Sequence, residues 1–403
     1  MISVTKNSRQ CTRCLYNSLH PFGLTFDLNG VCSGCRVHDE KDYLDWNERF
    51  LLLKNLTKNY KLKNSRNYDC IVPVTGGQDS FFTVHTVVNK LGLNPLLVNF
   101  NRNFNSAEGI KNLAMLRTKF SVDFRQFSIN PIIARRIVKT TLANLGTVNW
   151  LWIAGQTSFP VRVASELGVP LIIWGAHQGI EQVGMYSYLD EVEMTSRYRR
   201  EHDLMGVDEK TIFQFDPDFN QKDITALSYP DDDLILNCGI KGIYLNNYIR
   251  WDSVAQHEFV SKEYGYIGRK SSRTYYKYDN PDCPVYGEFQ DFLKWLKLGY
   301  GKVTDHVVRD IRHKRISKSI AVKQVKKFEN KLPKDVDKFA NWLGIPSSNL
   351  LLAILRNSTN FANQISEDSW KERFISKSKY SLKPNIFNKS LIDQDFINFG
   401  KGI

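Results

Sequence analysis

Six consecutive residues, Thr75-Gly76-Gly77-Gln78-Asp79-Ser80, have the types and order that handle phosphate. An apolar run ending at Val74 precedes them and a helical pattern follows. A strand that ends in paired glycines and opens at once into a helix presents unshared backbone N–H groups at the positive end of the helix dipole, a geometry that binds phosphate or pyrophosphate. The glycines let oxyanions approach the backbone, and the hydroxyls of Thr75 and Ser80 can donate further hydrogen bonds. The turn lacks the lysine of G-x-x-x-x-G-K-[ST] and the spacing of G-x-G-x-x-G, so neither of those phosphate motifs applies.

The second group is four cysteines. Cys11 and Cys14 form one C-x-x-C and Cys32 and Cys35 another, with seventeen residues between them. Each tight knuckle aims two thiolates at one point, and tetrahedral zinc needs four, so the pattern reads as a structural zinc ribbon. An iron–sulfur cluster is the competing reading, because four thiolates also serve clusters. Cys70, Cys238 and Cys283 stand alone and read as ordinary thiols.

These residues need elements to hold them. The patterning predicts strands over 68–74, 95–100, 122–127 and 169–174, with helices over 79–91, 106–120 and 131–145 and another before the fourth strand. Strands alternating with helices predict an α/β fold with a doubly wound parallel sheet. Around it we place a four-cysteine module over 1–45, a helical connector and Lys/Asn-rich linker over 46–67, a nucleotide domain over 68–300 and a basic helical region over 301–403. Past Gly175 the pattern weakens into loop-rich, then aromatic-rich sequence.

Composition sets the remaining bounds. At 403 residues with 42% hydrophobic content the chain can bury a substantial core. The opening MISVTKNSRQCTRC has no apolar stretch, and no window approaches the ~20 apolar residues of a membrane span; a soluble, cytoplasmic protein is expected. The net charge is +13, and residues 301 to 335 hold eleven Lys or Arg against four Asp or Glu. Nucleic acid, an anionic sugar nucleotide, an acidic protein surface or a plain solvated helix face would each suit that charge.

The turn resembles the S-G-G-x-D-S signature of the PP-loop ATP pyrophosphatases, with Thr75 in place of the first serine. That family includes tRNA thiolases, lysidine synthases, GMP and NAD synthetases and asparagine synthetases. The resemblance implies that residues Val74 to Ser80 grip the pyrophosphate of ATP, with Asp79 catalytic, while a substrate oxygen attacks the α-phosphorus. It places adenosine on the segment LLVNFNRNFNSAEG, against Val98, Asn99 and Phe100. The segment LIIWGAHQGIEQVG resembles the family's G-H-x-x-D-D type motif, which assigns Gly175, His177 and Glu181 to the site: His177 to a phosphate or the attacking group, Glu181 to Mg²⁺. A single Glu replaces the Asp-Asp pair, and a structural hydrogen bond beneath the loop is the other reading of His177.

A closer resemblance, over roughly residues 8 to 330, is to the N-acetyl sugar amidotransferases of bacterial surface-polysaccharide (lipopolysaccharide, O-antigen) biosynthesis. It rests on the CTRC and CSGC pair before the loop, MTSRYRREHDLMGVDEK, GIYLNNYIRWD and WLKLGYGKVTDHVVRDIRHKRIS. It implies conversion of the N-acetyl group of a nucleotide-linked sugar to an acetamidino group, through adenylation of the amide oxygen and attack of ammonia. The chain has no ammonia source, since residue 2 is Ile and no G-x-C-x-G elbow is present. A separate glutaminase is expected, with a cyclase-like subunit, both resembling those of histidine biosynthesis. Lys302, Thr304, Asp305, His306, Arg309 and Arg312 are candidates for holding the UDP or CMP carrier, since guanidinium suits phosphate bidentately; an Asp305–Arg309 ion pair is the structural reading of the same residues. A tRNA-modifying PP-loop enzyme is the alternative, and the scattered remaining cysteines count against sulfur transfer and leave lysidine-type chemistry open. A zinc-ribbon binding module without catalysis leaves the glycine turn unexplained, and no membrane partner is expected.

Overall fold

A computed structural model describes residues 8–61, 68–278, 281–350 and 354. The linker expected over 61–67 falls, but for its first residue, outside the described residues, as does most of the chain after 350.

Five parallel strands form the centre: β1 (Cys70–Pro73), β2 (Pro95–Asn101), β3 (Phe124–Ser128), β4 (Leu171–Trp174) and β5 (Lys241–Tyr244), in the spatial order β3-β2-β1-β4-β5. All four pairings are parallel, with registers such as Ile71 opposite Leu96 and Ile71 opposite Ile172. The doubly wound parallel sheet expected from the sequence is therefore present, with β5 as a strand that the patterning did not reveal.

Side chains alternate along a strand, and that period of two divides the core. Ile71, Leu96, Val98 and Ile172 face one side, covered by α5 (Pro131–Leu145), α6 (Trp150–Leu167) and two later helices, α12 (Pro284–Leu298) and α15 (Val336–Leu343). Cys70, Val72, Leu97, Leu171 and Ile173 face the other, covered by α2 (Trp46–Lys61), α3 (Gln78–His85), α4 (Ala107–Phe120) and α11 (Ser253–Tyr264). Between β4 and α11 lie a π-helical turn, Gly179–Val183, and the short helices α7 (Ser196–Tyr198), α8 (Glu209–Phe215), α9 (Gln221–Ile224) and α10 (Asp232–Asn237). No described helix is long and apolar enough to cross a membrane.

The two ends of the described chain share a third core. The four cysteines with Leu15 and Tyr16 pack against Tyr300, Val303, Val307 and Val308 of α13 (Lys302–Arg312) and its N-terminal approach, and against Ala321 and Val325 of α14 (Lys318–Phe328). The helix that begins at the second knuckle, α1 (Ser33–Glu40), thus stands next to α13.

The chain winds outward from β1 through β2 to β3, then returns to place β4 on the other side of β1. Crevices at such a reversal, outside the carboxyl ends of the strands, are where open α/β sheets bind ligands. Close packing of α6 on β2 shapes one wall. A Cβ added at Gly155 would stand 2.3 Å from the Phe100 ring. Gly155→Ala is therefore expected to displace that ring and cost about 1–3 kcal/mol in urea unfolding; an unchanged midpoint would show that Phe100 moves aside freely.

Candidate active site

The turn between β1 and α3 is tied by its own hydroxyls. Ser80 Oγ accepts from the Thr75 N–H (2.9 Å) and Thr75 Oγ1 accepts from the Gly77 N–H (3.1 Å). Gly77 is the extended residue that starts α3, so the first amides of the helix, Gln78 and Asp79, lack intrahelical acceptors. Gly76 must be glycine for packing: a Cβ there would lie 2.7 Å from the Gly109 carbonyl oxygen of α4. Asn112 donates to the Gly76 carbonyl at 3.2 Å and fixes the turn from the same side.

Two clefts open on this turn. On the β2–β3 side a cleft of about 250 Å³ is lined by Thr75, Gly76, Asn99, Phe100, Arg102 and Gln126, among others. Asn99 donates to the Val74 carbonyl at 2.7 Å, while its Oδ1 and the Nε of Arg102 are buried without a partner among the described residues. Of the residues expected along adenosine, Asn99 and Phe100 line this cleft; Val98 lies behind it in the sheet core.

On the β4 side lies a smaller polar cleft of about 30 Å³, where Asp79 meets Glu181, Trp251, Tyr278, Arg309 and His38. Burial pushes the Asp79 carboxyl up to about 6, opposed by the Arg309 charge and the Gln78 amide, which donates to Asp79 Oδ1 at 3.1 Å. Arg309 donates to Gln178 Oε1 at 3.3 Å. At the rim, Asp252 is paired with Arg315 and stands 3.7 Å from His313 Nδ1.

Glu181 occupies the expected place, and its oxygens are already taken. Oε2 accepts from Lys41 Nζ (2.8 Å), and Oε1 from Tyr188 Oη (2.7 Å) and Asn246 Nδ2 (3.1 Å). Burial favours its neutral acid, and the Lys41 ammonium with these hydrogen bonds outweighs burial, holding the carboxyl below its usual range. As a Mg²⁺ ligand Glu181 fits poorly, since a metal would have to displace a buried lysine; Asp79 Oδ2, with no donor bonded to it among the described residues, fits better.

The other sequence-derived candidates divide. Gly175 sits under the crevice, where a Cβ would lie 3.2 Å from Thr83 Oγ1. His177 is buried among Tyr186, Tyr198, Tyr244 and His202, its Nδ1 accepts from the Ile180 N–H (3.3 Å), and it lines neither cleft. Burial pushes its imidazolium down to about 3, so the ring is neutral. Its Nε2 is buried with no hydrogen-bond partner among the described residues.

Within α13 only Arg309 of the candidate block lines the cleft. Asp305 is buried and bonds Tyr16 Oη (2.8 Å) and Lys294 Nζ (2.6 Å), so its partner is Lys294 of α12 in place of the expected Arg309. His306 is buried against Thr274, with Nδ1 and the hydroxyl 2.6 Å apart. Thr304 donates to Glu329. The Lys302 backbone N–H bonds Asp291. Arg312 is buried beside the cysteines. The face of α13 chosen for a substrate carrier is mostly packed against protein.

The four cysteines do converge. One sulfur from each, all buried, lies within 4.8 Å of the others, and Cys14 Sγ is 3.7 Å from Cys32 Sγ. A tetrahedron with metal–sulfur bonds of about 2.3 Å has an edge of about 3.8 Å, so one metal ion fits. Cys11 Sγ accepts from the N–H groups of Cys14 and Cys32, which suits thiolate.

Sequence reasoning missed His38, Lys41, Trp251, Tyr278, His313 and Arg315. The GIYLNNYIRWD segment, which holds β5 and Trp251, carried a signal through its resemblance alone; Lys41 and His38 carried none, because their meaning lies in contacts to residues more than a hundred positions away.

Residues 272–379 match the model of a family described as LPS biosynthesis protein WbpG-like, C-terminal domain. No curated protein matches the chain. Among solved structures the chain is similar to an NMN synthetase from Francisella tularensis, at 12% identity and a TM-score of 0.29, covering 54% of this chain and 87% of that one. It is similar to an NH3-dependent NAD synthetase from Campylobacter jejuni in complex with nitrate, at 12% and 0.29, covering 47% and 99%. A U34-tRNA thiolase, NcsA, from Methanococcus maripaludis with its [4Fe-4S] cluster is similar at 11% and 0.30, covering 83% and 95%.

Proposed function

We propose that the chain is an ATP-consuming amidotransferase of lipopolysaccharide biosynthesis that converts the N-acetyl group of a nucleotide-linked sugar to an acetamidino group, using ammonia from a partner glutaminase with its cyclase-like subunit. One observation carries this reading: Arg309, inside the segment that matches the WbpG-like domain, lines the same cleft as Asp79 of the phosphate turn. The part of the chain that resembles a lipopolysaccharide enzyme and the part that suits ATP form one site.

In this reading the Gln78 and Asp79 amides bind the β- and γ-phosphates, and the 250 Å³ cleft takes the nucleoside. The amide oxygen, arriving from the second cleft, bonds to the α-phosphorus as the bond to pyrophosphate breaks. Ammonia then bonds to the imidate carbon, AMP leaves with the oxygen, and one proton is released. An amide is a poor electrophile and its oxygen a weak nucleophile, so the protein must contribute alignment and charge stabilisation. Arg309 faces the charge that grows on the phosphates, and Asp79 holds a carboxylate beside them. Mg²⁺, when bound with the nucleotide, supplies further neutralisation, and Asp79 is the residue placed to hold it. The four cysteines hold structural zinc.

The test is incubation with ATP, Mg²⁺, ammonium and a panel of UDP-linked N-acetyl and diacetamido sugars. AMP and pyrophosphate release that depends on one of them, with product mass showing oxygen replaced by NH, is the expected result. AMP release stimulated by tRNA and by no sugar nucleotide would overturn the reading.

A further inference from the structure

Arg312, the last residue of α13, lies between the four cysteines and the turn that carries Glu181. Its Nη2 is 3.8 Å from Cys32 Sγ, and its Nη1 donates to the Glu181 carbonyl oxygen at 2.9 Å. The side chain is 2% exposed and lies 5.4 Å from the Tyr16 ring. Gly34, between the second pair of cysteines, leaves it room: a Cβ there would stand 2.3 Å from Arg312 Nη2 and 2.4 Å from the Gln182 carbonyl oxygen. Four thiolates around a divalent ion carry net negative charge, which is costly in a buried place unless a cation faces it. Arg312 is that cation.

The same module grips the Glu181 turn elsewhere. Ser33 Oγ donates to the Val183 carbonyl at 2.6 Å, and a Cβ at Gly184 would stand 2.6 Å from the Ser33 carbonyl oxygen. Lys41, one residue past α1, holds the Glu181 carboxylate. His38 on α1 lines the second cleft directly. The nucleotide cleft, by contrast, is lined by no residue of the cysteine module.

We infer that the metal-bound cysteine module, which reaches the second cleft through His38, braces the Glu181 turn that lines it, and that Arg312 is the positioning residue that makes this turn depend on metal occupancy. The inference rests on the reading that the four thiolates hold zinc, and its activity arm on the proposed amidotransferase reaction. Loss of metal should then disable the half of the site that takes the amide and spare the half that takes ATP.

Zinc-loaded protein titrated against a chromophoric chelator gives the metal affinity. Arg312→Met is expected to lose about 10–100-fold, as outer partners of metal ligands do, and Arg309→Met to lose none. Gly34→Ala, which keeps every thiol and Arg312 itself, is expected to weaken metal binding in the same direction. Arg312→Lys, which keeps the charge and loses the two-sided bridge, should retain more metal than Arg312→Met while kcat for acceptor-dependent AMP release still falls. A non-hydrolysable ATP analogue should bind wild type, Arg312→Met and chelator-stripped protein alike. Wild-type metal affinity in Arg312→Met, or stripped protein that loses analogue binding, would overturn the inference. Failure of every sugar nucleotide to stimulate wild type would instead count against the proposed reaction and leave the affinity and analogue measurements to decide the role of Arg312.

Discussion

Asp79→Ala abolishes release of AMP and pyrophosphate, with a loss of at least roughly 10²–10³-fold, the range for removing one preorganised electrostatic group, and leaves bound metal at the wild-type level. The metal is unaffected because the four cysteines pack in a different core from β1 and α3. Asp79 lines the second cleft at the start of α3, and the one described hydrogen bond to its carboxylate comes from Gln78. The pH dependence follows from the same placement. Burial raises the carboxyl from 3.8 to about 6, so if the carboxylate is the working form, kcat/KM for ATP falls on the acid side below about pH 6. The stability sign is opposite: a folded value above the unfolded one means the ionised group weakens the fold at neutral pH, and the cost fades as pH falls from about 6 toward 3.8. Asp79→Asn should therefore be inactive yet melt higher than wild type at pH 8, with the difference gone near pH 4. Turnover retained in Asp79→Ala would remove the turn from the mechanism.

Much of the Thr75–Ser80 turn was legible because its determinants are local. An apolar strand, two glycines and a helix start occupy a dozen consecutive positions, and each residue needs only its neighbours to be interpreted. The cysteine knuckles were legible for a similar reason, since spacing alone brings two thiols together and the second pair completes a known geometry. The α13 block shows where such reasoning ends. Asp305, Arg309 and Arg312 share a helix face, but sequence does not say what that face meets. It meets Tyr16, Lys294 and Cys32 over most of its length, and only Arg309 reaches the cleft. Side-chain type suggested phosphate recognition; in the structure Asp305 pairs with Lys294 and Arg312 lies beside Cys32. Strand β5 was hidden because Lys241–Tyr244 opens on Lys241-Gly242 after an irregular stretch, whereas the equally short β1 and β4 are near-continuous apolar runs.

Lys41 is the residue that sequence reasoning had least chance of finding, and its loss should be the most damaging to stability. Its ammonium is fully buried and donates to Glu181 Oε2 at 2.8 Å and to the Trp251 carbonyl at 2.7 Å. Those contacts join the end of α1, the turn after β4 and the segment after β5. Removing one member of a buried pair leaves the other charge without its counter-ion, which costs about 3–5 kcal/mol, more than the pair contributes relative to an apolar replacement. Lys41→Met is thus expected to lose about that much in urea unfolding, because among the described residues Glu181 keeps only Tyr188 and Asn246 as donors. Lys41→Met combined with Glu181→Gln should be less destabilised than the sum of the single variants, since the neutral amide no longer needs the ammonium. Additive single and double variants would mean that the two side chains do not sense each other. A double variant that regains stability but not acceptor-dependent turnover would show that the charge pair shapes the second cleft as well as the fold.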